Sequence, residues 1–139
     1  MRGFLVDTNV LSEARKAKGG NPHVMAWLAD HRAELFLSVL VTGEVRRGIE
    51  RIRLRDRAAA GTLERWLRTL EVEFDDRILP VDAAVADRWG RLMAERTVPV
   101  IDGLLAATAL VHGLILATRN VRHISPTGVS TVDPFAPPG

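Results

Sequence analysis

The chain is predicted to fold as an α/β domain with a central, mainly parallel sheet covered by helices on both faces. Three observations predict it. Phe4-Leu5-Val6, Leu35 to Val41 and Leu114 to Ala117 are short, almost wholly apolar runs, the pattern of strands buried on both faces. Between them lie longer segments whose apolar residues recur at helical spacing. Gly103 to Val111 is apolar on every side, so it must be a helix enclosed by other elements.

Taken in order, Phe4-Leu5-Val6 is a strand that ends at Asp7-Thr8-Asn9, and Val10-Leu11 begin a brief helix. Gly19-Gly20-Asn21-Pro22 is a loop that opens a second helix, with Asn21 as its cap, Pro22 in its first turn and Val24, Trp27 and Leu28 on its apolar face. Leu35 to Val41 is apolar and partly β-branched, a second strand, after which Thr42 caps a helix running through Glu44 to Ile49. Leu63, Trp66, Leu67 and Leu70 mark one face of a helix from about Ala58 to Val72. Asp75-Asp76 is a turn, Ile78 to Val81 is extended, and Asp82 caps a helix with Val85, Trp89, Leu92 and Met93 on one face. Asp102 opens the all-apolar helix, whose alanines let neighbours approach closely, and Gly113 stops it. Leu114 to Ala117 and Val129 to Val132 are the remaining strands.

With 139 residues, 47% hydrophobic and 26% charged, the chain is long enough for a full core and is predicted to be one domain over 1–139, with 134–139 as a loose tail. It has no cysteine, which excludes disulfides, thiolate zinc sites and Cys nucleophiles and fits a reducing cytoplasm. The start MRGFLVDTN has neither the charge nor the apolar length of a signal peptide. Gly103 to Thr118, the longest uncharged stretch, falls short of the roughly 20 apolar residues of a membrane span. The pI of about 9.9 says little about partners, because the net charge is only +2. With no Cys or Tyr and few Lys, almost nothing titrates between histidine and arginine. The local cluster Arg46, Arg47, Arg51, Arg53, Arg55 and Arg57, faced only by Glu50 and Asp56, says more: it is a candidate surface for phosphates.

Asp7, Glu44 and Asp102 each follow closely on an apolar run. In a parallel α/β sheet such positions gather beyond the carboxyl ends of the strands, where ligands bind. Singly, each is also a plausible helix cap. Jointly they make a set that capping does not require, with Thr8, Asn9, Thr42, Thr108 and Asn120 as short polar neighbours. Grouped carboxylates repel and recruit a cation. Hard Mg²⁺ or Mn²⁺ takes oxygen ligands and serves phosphodiester hydrolysis without a covalent enzyme intermediate.

The motifs LVDTNVLSE, SVLVTGEVRRGI, DGLLAATALVHGLILATRNVRH and a closing VDPF occur in this order from end to end of the chain. In them the chain resembles the PIN-domain proteins of the VapC type, toxins of type II toxin–antitoxin pairs, in a FitB-like branch. The resemblance implies a PIN-like three-layer α/β/α fold and a Mg²⁺- or Mn²⁺-dependent endoribonuclease, held inactive by a cognate VapB-type antitoxin. It also implies a homodimer within a higher-order toxin–antitoxin complex. By motif position, Asp7, Glu44 and Asp102 resemble the catalytic, metal-binding acids, with Thr8 and Asn9 as supports. A fourth acid usual in that family falls where this chain has Asn120 or His123; the first offers a neutral oxygen, the second a ligand better suited to Mn²⁺ than to Mg²⁺. Arg46, Arg47, Arg51 and Arg119 are the candidate RNA contacts, and Thr108 an auxiliary.

Two other readings compete. Loss of the fourth acid suits a weakly active or inactive PIN domain that binds antitoxin and RNA. An Asp after the first strand also opens haloacid-dehalogenase-like phosphatases, but those need Asp-x-Asp and a later lysine. Here the start is Asp7-Thr8-Asn9 and no lysine follows Lys18. No Gly-x-Gly-x-x-Gly or Gly-Lys-Ser/Thr loop supports nucleotide binding.

Overall fold

The computed structural model describes residues 3–16 and 19–137. Its centre is a five-stranded, all-parallel sheet: β1 (Phe4–Val6), β2 (Leu35–Ser38), β3 (Ile78–Leu79), β4 (Ile115–Ala117) and β5 (Thr131–Val132), in the spatial order β3-β2-β1-β4-β5. Leu5 lies opposite Phe36 on one side and Leu116 on the other, and Leu5, Leu37 and Leu116 are fully buried. Strands only two to four residues long suffice because their side chains are enclosed on both faces.

The helices are α1 (Thr8–Leu11), α2 (Pro22–Asp30), α3 (Val39–Arg53), α4 (Arg57–Glu73), α5 (Ala83–Met93), α6 (Val100–His112) and α7 (Val121–Ile124), with short 3₁₀ turns at Ser12–Arg15, Arg32–Glu34 and Ser125–Thr127. Parallel crossovers are right-handed, so the side on which each helix lies follows from strand order. From β1 the chain steps to β2 and then β3 in one direction, which puts α1 to α4 on one face. It then returns past β1 to β4 and β5, which puts α5 to α7 on the other. This is the three-layer α/β/α arrangement the sequence predicts. It places the reversal of strand order between β1 and β4, where ligand crevices open in such sheets.

Most caps follow the sequence. The Asn21 side chain accepts from the His23 and Val24 amides and Asp82 from Val85 N; Asp56, not among the expected caps, accepts from Ala59 N. Gly113 ends α6 at φ 66°, left-handed backbone that favours glycine. Gly103 serves packing instead. A Cβ there would lie 3.2 Å from Met93 Sδ and from the Trp89 indole, so its absence lets α6 close on α5. The three tryptophans pack against the core as expected, Trp27 edge-on to Phe4 at 4.9 Å.

Three expectations need correction. The second strand stops at Ser38, not Val41, and Ser38 is the cap, its hydroxyl accepting from Leu40 N at 3.0 Å. Thr42 lies inside the helix and donates its hydroxyl to Val39 O. A β-branched apolar run reads as strand by propensity, but a buried serine that satisfies an orphan amide starts the helix sooner. Second, Asp102 stands in the first turn of α6 after Pro99 rather than at its opening residue. Third, His123, in the stretch between Ala117 and Val129 where no helix is expected, lies on the short helix α7. Pro134 is buried and Phe135 packs on the core, tying down the first part of the tail; residues 138–139 lie outside the described residues. Ser38→Ala is expected to cost about 1 kcal/mol in urea unfolding and Thr42→Ala under about 0.5 kcal/mol. The reverse order would restore Thr42 as the cap.

Candidate active site

Asp7 sits at the end of β1 beside the end of β4, at the reversal of strand order. Its backbone N–H continues the sheet to Ala117 O at 2.9 Å, and its side chain is 4% exposed. Oδ1 accepts from Thr8 N at 2.7 Å, which caps α1; Oδ2 accepts from the Thr118 hydroxyl at 2.7 Å and, at longer range, from Asn9 Nδ2 at 3.4 Å. Capping of α1 and anchoring of the carboxylate to the end of β4 are therefore served by one geometry. Burial raises the Asp7 pKa from its ordinary value of 3.8; the Thr118 and Thr8 hydrogen bonds oppose this, while the charges of Asp102 and Glu44 add to it.

Glu44 lies in the second turn of α3, away from the helix's orphan amides, so dipole complementarity does not account for it. Its Oε1 accepts from the Thr8 hydroxyl at 2.6 Å, a contact spanning 36 residues that ties α3 to the end of β1. Asp102 is half-buried. Its pKa is raised by burial, pulled back by the His123 imidazole and raised again by Glu44. These mutual effects bring the three acids into one electrostatic neighbourhood, with His123 beside Asp102.

The auxiliary residues divide. Asn9 bridges the site, donating to Asp7 and accepting from Arg119 N at 3.1 Å. Asn120 donates its backbone N–H to Thr118 Oγ1 at 3.0 Å and offers no side-chain cap to α7, which leaves its amide group for other partners. Thr108 is fully buried, and its hydroxyl donates to Leu104 O at 2.7 Å, a bond within α6. Arg46 is paired with Glu50 and Glu64. Arg47 and Arg51 are exposed, and the Arg119 guanidinium lies 4.0 Å over the Phe135 ring. Glu13 is shielded; it accepts from Lys16 Nζ and Asn21 N, which hold its pKa low and fasten the loop before α2.

Thr118 is the site residue that the linear pattern did not single out. It is fully buried, donates to Asp7 and accepts from Asn120. The signal was its place directly after a buried strand. Its meaning depends on β4 lying next to β1, which local sequence does not state.

Among the described residues, no Lys or Arg forms an ion pair with Asp7, Glu44 or Asp102, although Glu13, Glu50, Glu64, Glu73 and Asp87 are all paired. Uncompensated, partly buried acids at a crevice are a donor set for a hard cation. No three His, Asp or Glu side chains among the described residues close on a common point as direct ligands. Glu44 is turned onto Thr8, and both Asp7 oxygens already accept hydrogen bonds. The residues thus fit an ion that keeps much of its water and touches one or two carboxylates directly, as Mg²⁺ does.

Comparison with known proteins identifies the family of the fold. Residues 4–126 match the family model described as "PIN domain". The chain is 30% identical to VapC ribonuclease Y4jK of Sinorhizobium fredii, over 96% of this chain and 99% of that protein. It is 31% identical to Toxin FitB of Neisseria gonorrhoeae, over 95% and 98%. The crystal structure of FitAcB from Neisseria gonorrhoeae superposes with a TM-score of 0.86 at 29% identity, covering 95% of this chain and 98% of that one. With this match across nearly its whole length, the chain belongs to the PIN-domain family, in the branch of the VapC- and FitB-named toxins.

Proposed function

We propose that the protein is a divalent-metal-dependent endoribonuclease toxin that hydrolyses RNA phosphodiester bonds and is neutralised by a cognate VapB-type antitoxin. The observation that carries this reading is the mutual proximity of Asp7, Glu44 and Asp102 near the reversal of strand order, with no ion pair to a Lys or Arg among the described residues. Asp7 and Asp102 would hold Mg²⁺ or Mn²⁺, with Glu44 acting directly or through water. When bound, the ion supplies positive charge toward the phosphate oxygens and lowers the proton affinity of the attacking water. Thr118 and Thr8 fix the orientation of the Asp7 carboxylate, and Thr8 also orients Glu44. His123, near Asp102, would contact a phosphate oxygen of the bound RNA.

An apolar cleft beside the acids, lined by Thr8, Ser12, Glu44, Gly48, Leu63 and Trp66 among others, suits an antitoxin segment, in keeping with similar structures solved as FitAB and VapBC complexes. Exposed Val39, Val81 and Val100 lie at the carboxyl ends of β2 and β3 and the start of α6, an apolar surface that a second copy would cover in a homodimer. No helix of the described residues is long and apolar enough to cross a membrane. The cysteine-free chain suits the cytoplasm, where RNA and antitoxin are found.

The test is incubation with structured RNAs in Mg²⁺, Mn²⁺ or EDTA; cleavage is expected with either metal and none with EDTA. A second reading, a PIN domain that binds antitoxin and RNA with little cleavage, is favoured by Asn120 and His123 in place of a fourth acid. Retained RNA binding without cleavage in either metal would establish it.

Metal binding has its own signature. Because burial and mutual repulsion raise the pKa of Asp7 and Asp102, their contribution to metal-free stability is full below the ordinary value of 3.8 and is lost as pH rises through the raised values. Metal restores it by binding the ionised forms. An ion at a hundred times its Kd is expected to raise the melting temperature by roughly 10 °C near pH 8 and far less near pH 4. An equal shift at both values would count against carboxylate ligation.

A further inference from the structure

Helix α3 carries charge of two kinds on two flanks. On one, Arg46 binds Glu50 and Glu64, Arg53 binds the same two acids, and Arg68 of α4 joins Glu64. These arginines are used in fastening α3 to α4. Around the helix at 100° per residue, Arg51 lies within about 20° of Glu44 and Arg47 within about 60°, on the other flank. Among the described residues, Arg47, Arg51, Arg55 and Arg57 make no ion pair, and all four are exposed.

Arg47, Arg51, Arg53 and Arg57, with Glu50 and Leu54, line an open concavity of about 570 Å³ at the α3–α4 corner. Arg53 is held by Glu50 and Glu64, so the net positive charge of the concavity comes from Arg47, Arg51 and Arg57. Arg47 and Arg51 stand about 4.5 and 10.5 Å along the axis from Glu44, so the positive stripe begins within one helical turn of the acids and leads away from them. The small apolar cleft lies on the adjoining flank of α3, through Val45, Gly48 and Ile52, with Glu44 between it and the arginines. An unpaired guanidinium offers a fork of donors that matches phosphate. A solvated helix face needs no such sorting into paired and unpaired arginines.

We propose that Arg47, Arg51 and Arg57 form a docking surface for the phosphate backbone of RNA flanking the cleavage point, acting through charge and not through base recognition. The proposal rests on the ribonuclease reading above and adds where the strand lies. Contacts of this kind position the nucleic acid and make affinity salt-dependent.

The experiment measures binding of a fluorescein-labelled 20-nucleotide RNA hairpin of arbitrary sequence by anisotropy, in Mg²⁺ from 50 to 300 mM salt. The protein carries Asp7→Asn to prevent turnover. In that background, Arg47→Gln with Arg51→Gln is expected to weaken binding roughly 30-fold at 0.1 M salt and to reduce the slope of log K against log salt by about 0.7–0.9 per arginine. Arg51→Lys is expected to keep the slope, and Arg68→Gln, which removes a paired arginine, to bind within about twofold. An unchanged slope in the double variant, an equal loss in Arg68→Gln, or no RNA binding by the Asp7→Asn protein overturns the docking surface. Cleavage by the unmodified protein is scored separately. Arginine-dependent binding without cleavage retains this surface and removes the nuclease, whereas cleavage with arginine-independent binding does the reverse.

Discussion

Asp7→Asn is expected to lower metal-dependent RNA cleavage by at least about 10³-fold, the loss that follows when an interaction worth about 4 kcal/mol leaves the transition state. The same substitution is expected to leave the metal-free protein as stable as the parent near pH 8, or more so. The asparagine oxygen still accepts from Thr8 N, so the cap on α1 survives, and the Thr118 hydroxyl can rotate to accept from the new amide. What is removed is a buried negative charge beside Asp102 and Glu44. Asp7 has a raised pKa in the folded state, so its ionisation works against folding as pH rises and not as pH falls. The stability difference between variant and parent is therefore expected to shrink as pH falls through the raised Asp7 pKa. Cleavage assays and thermal unfolding across pH check both halves. A variant that still cleaves, or that melts many degrees lower at every pH, would reduce Asp7 to a helix cap.

Leu116→Ala is expected to destabilise the fold by about 2–5 kcal/mol. Leu116 is fully buried in β4, opposite Leu5 on one side and Thr131 on the other, and helices cover both faces. Parallel strands of three residues leave little freedom to collapse into the space a leucine vacates, which favours the upper part of that range. For a domain whose whole stability is about 5–15 kcal/mol, the loss is a large fraction. The urea midpoint should fall with an unchanged m-value. A loss under about 1 kcal/mol would show that the sheet relaxes around the cavity. Because Thr118 follows β4 directly, looser packing there should also weaken metal binding in whatever fraction stays folded.

Strand and helix order was legible for a simple reason. Full burial of a parallel sheet makes each strand an apolar run, and punctuation by Asn21-Pro22, Asp82 and Gly113 marks the helix ends by local chemistry. Legibility failed where one side chain outweighs propensity. Ser38 ends β2 within a run that reads as strand to Val41, and α7 is too short to show a period around His123. The arginines show the same limit. All lie in one basic stretch of sequence, yet Glu50 and Glu64 pair with Arg46 and Arg53 and leave Arg47 and Arg51 free, because α4 brings Glu64 across from another part of the chain.

The acids themselves were readable as residues that follow buried runs, and the family was readable from motifs spread along the whole chain. Which of them meet, and through what, came from the order of the strands. β4 lies beside β1, so Thr118 reaches Asp7 across 111 residues, Asn9 reaches Arg119, and Asp102 arrives from the helix before β4 with His123 from the helix after it. Local sequence encodes period, caps and burial because these depend on neighbours a few residues away. The crevice depends on long-range strand pairing, and no local pattern carries that information.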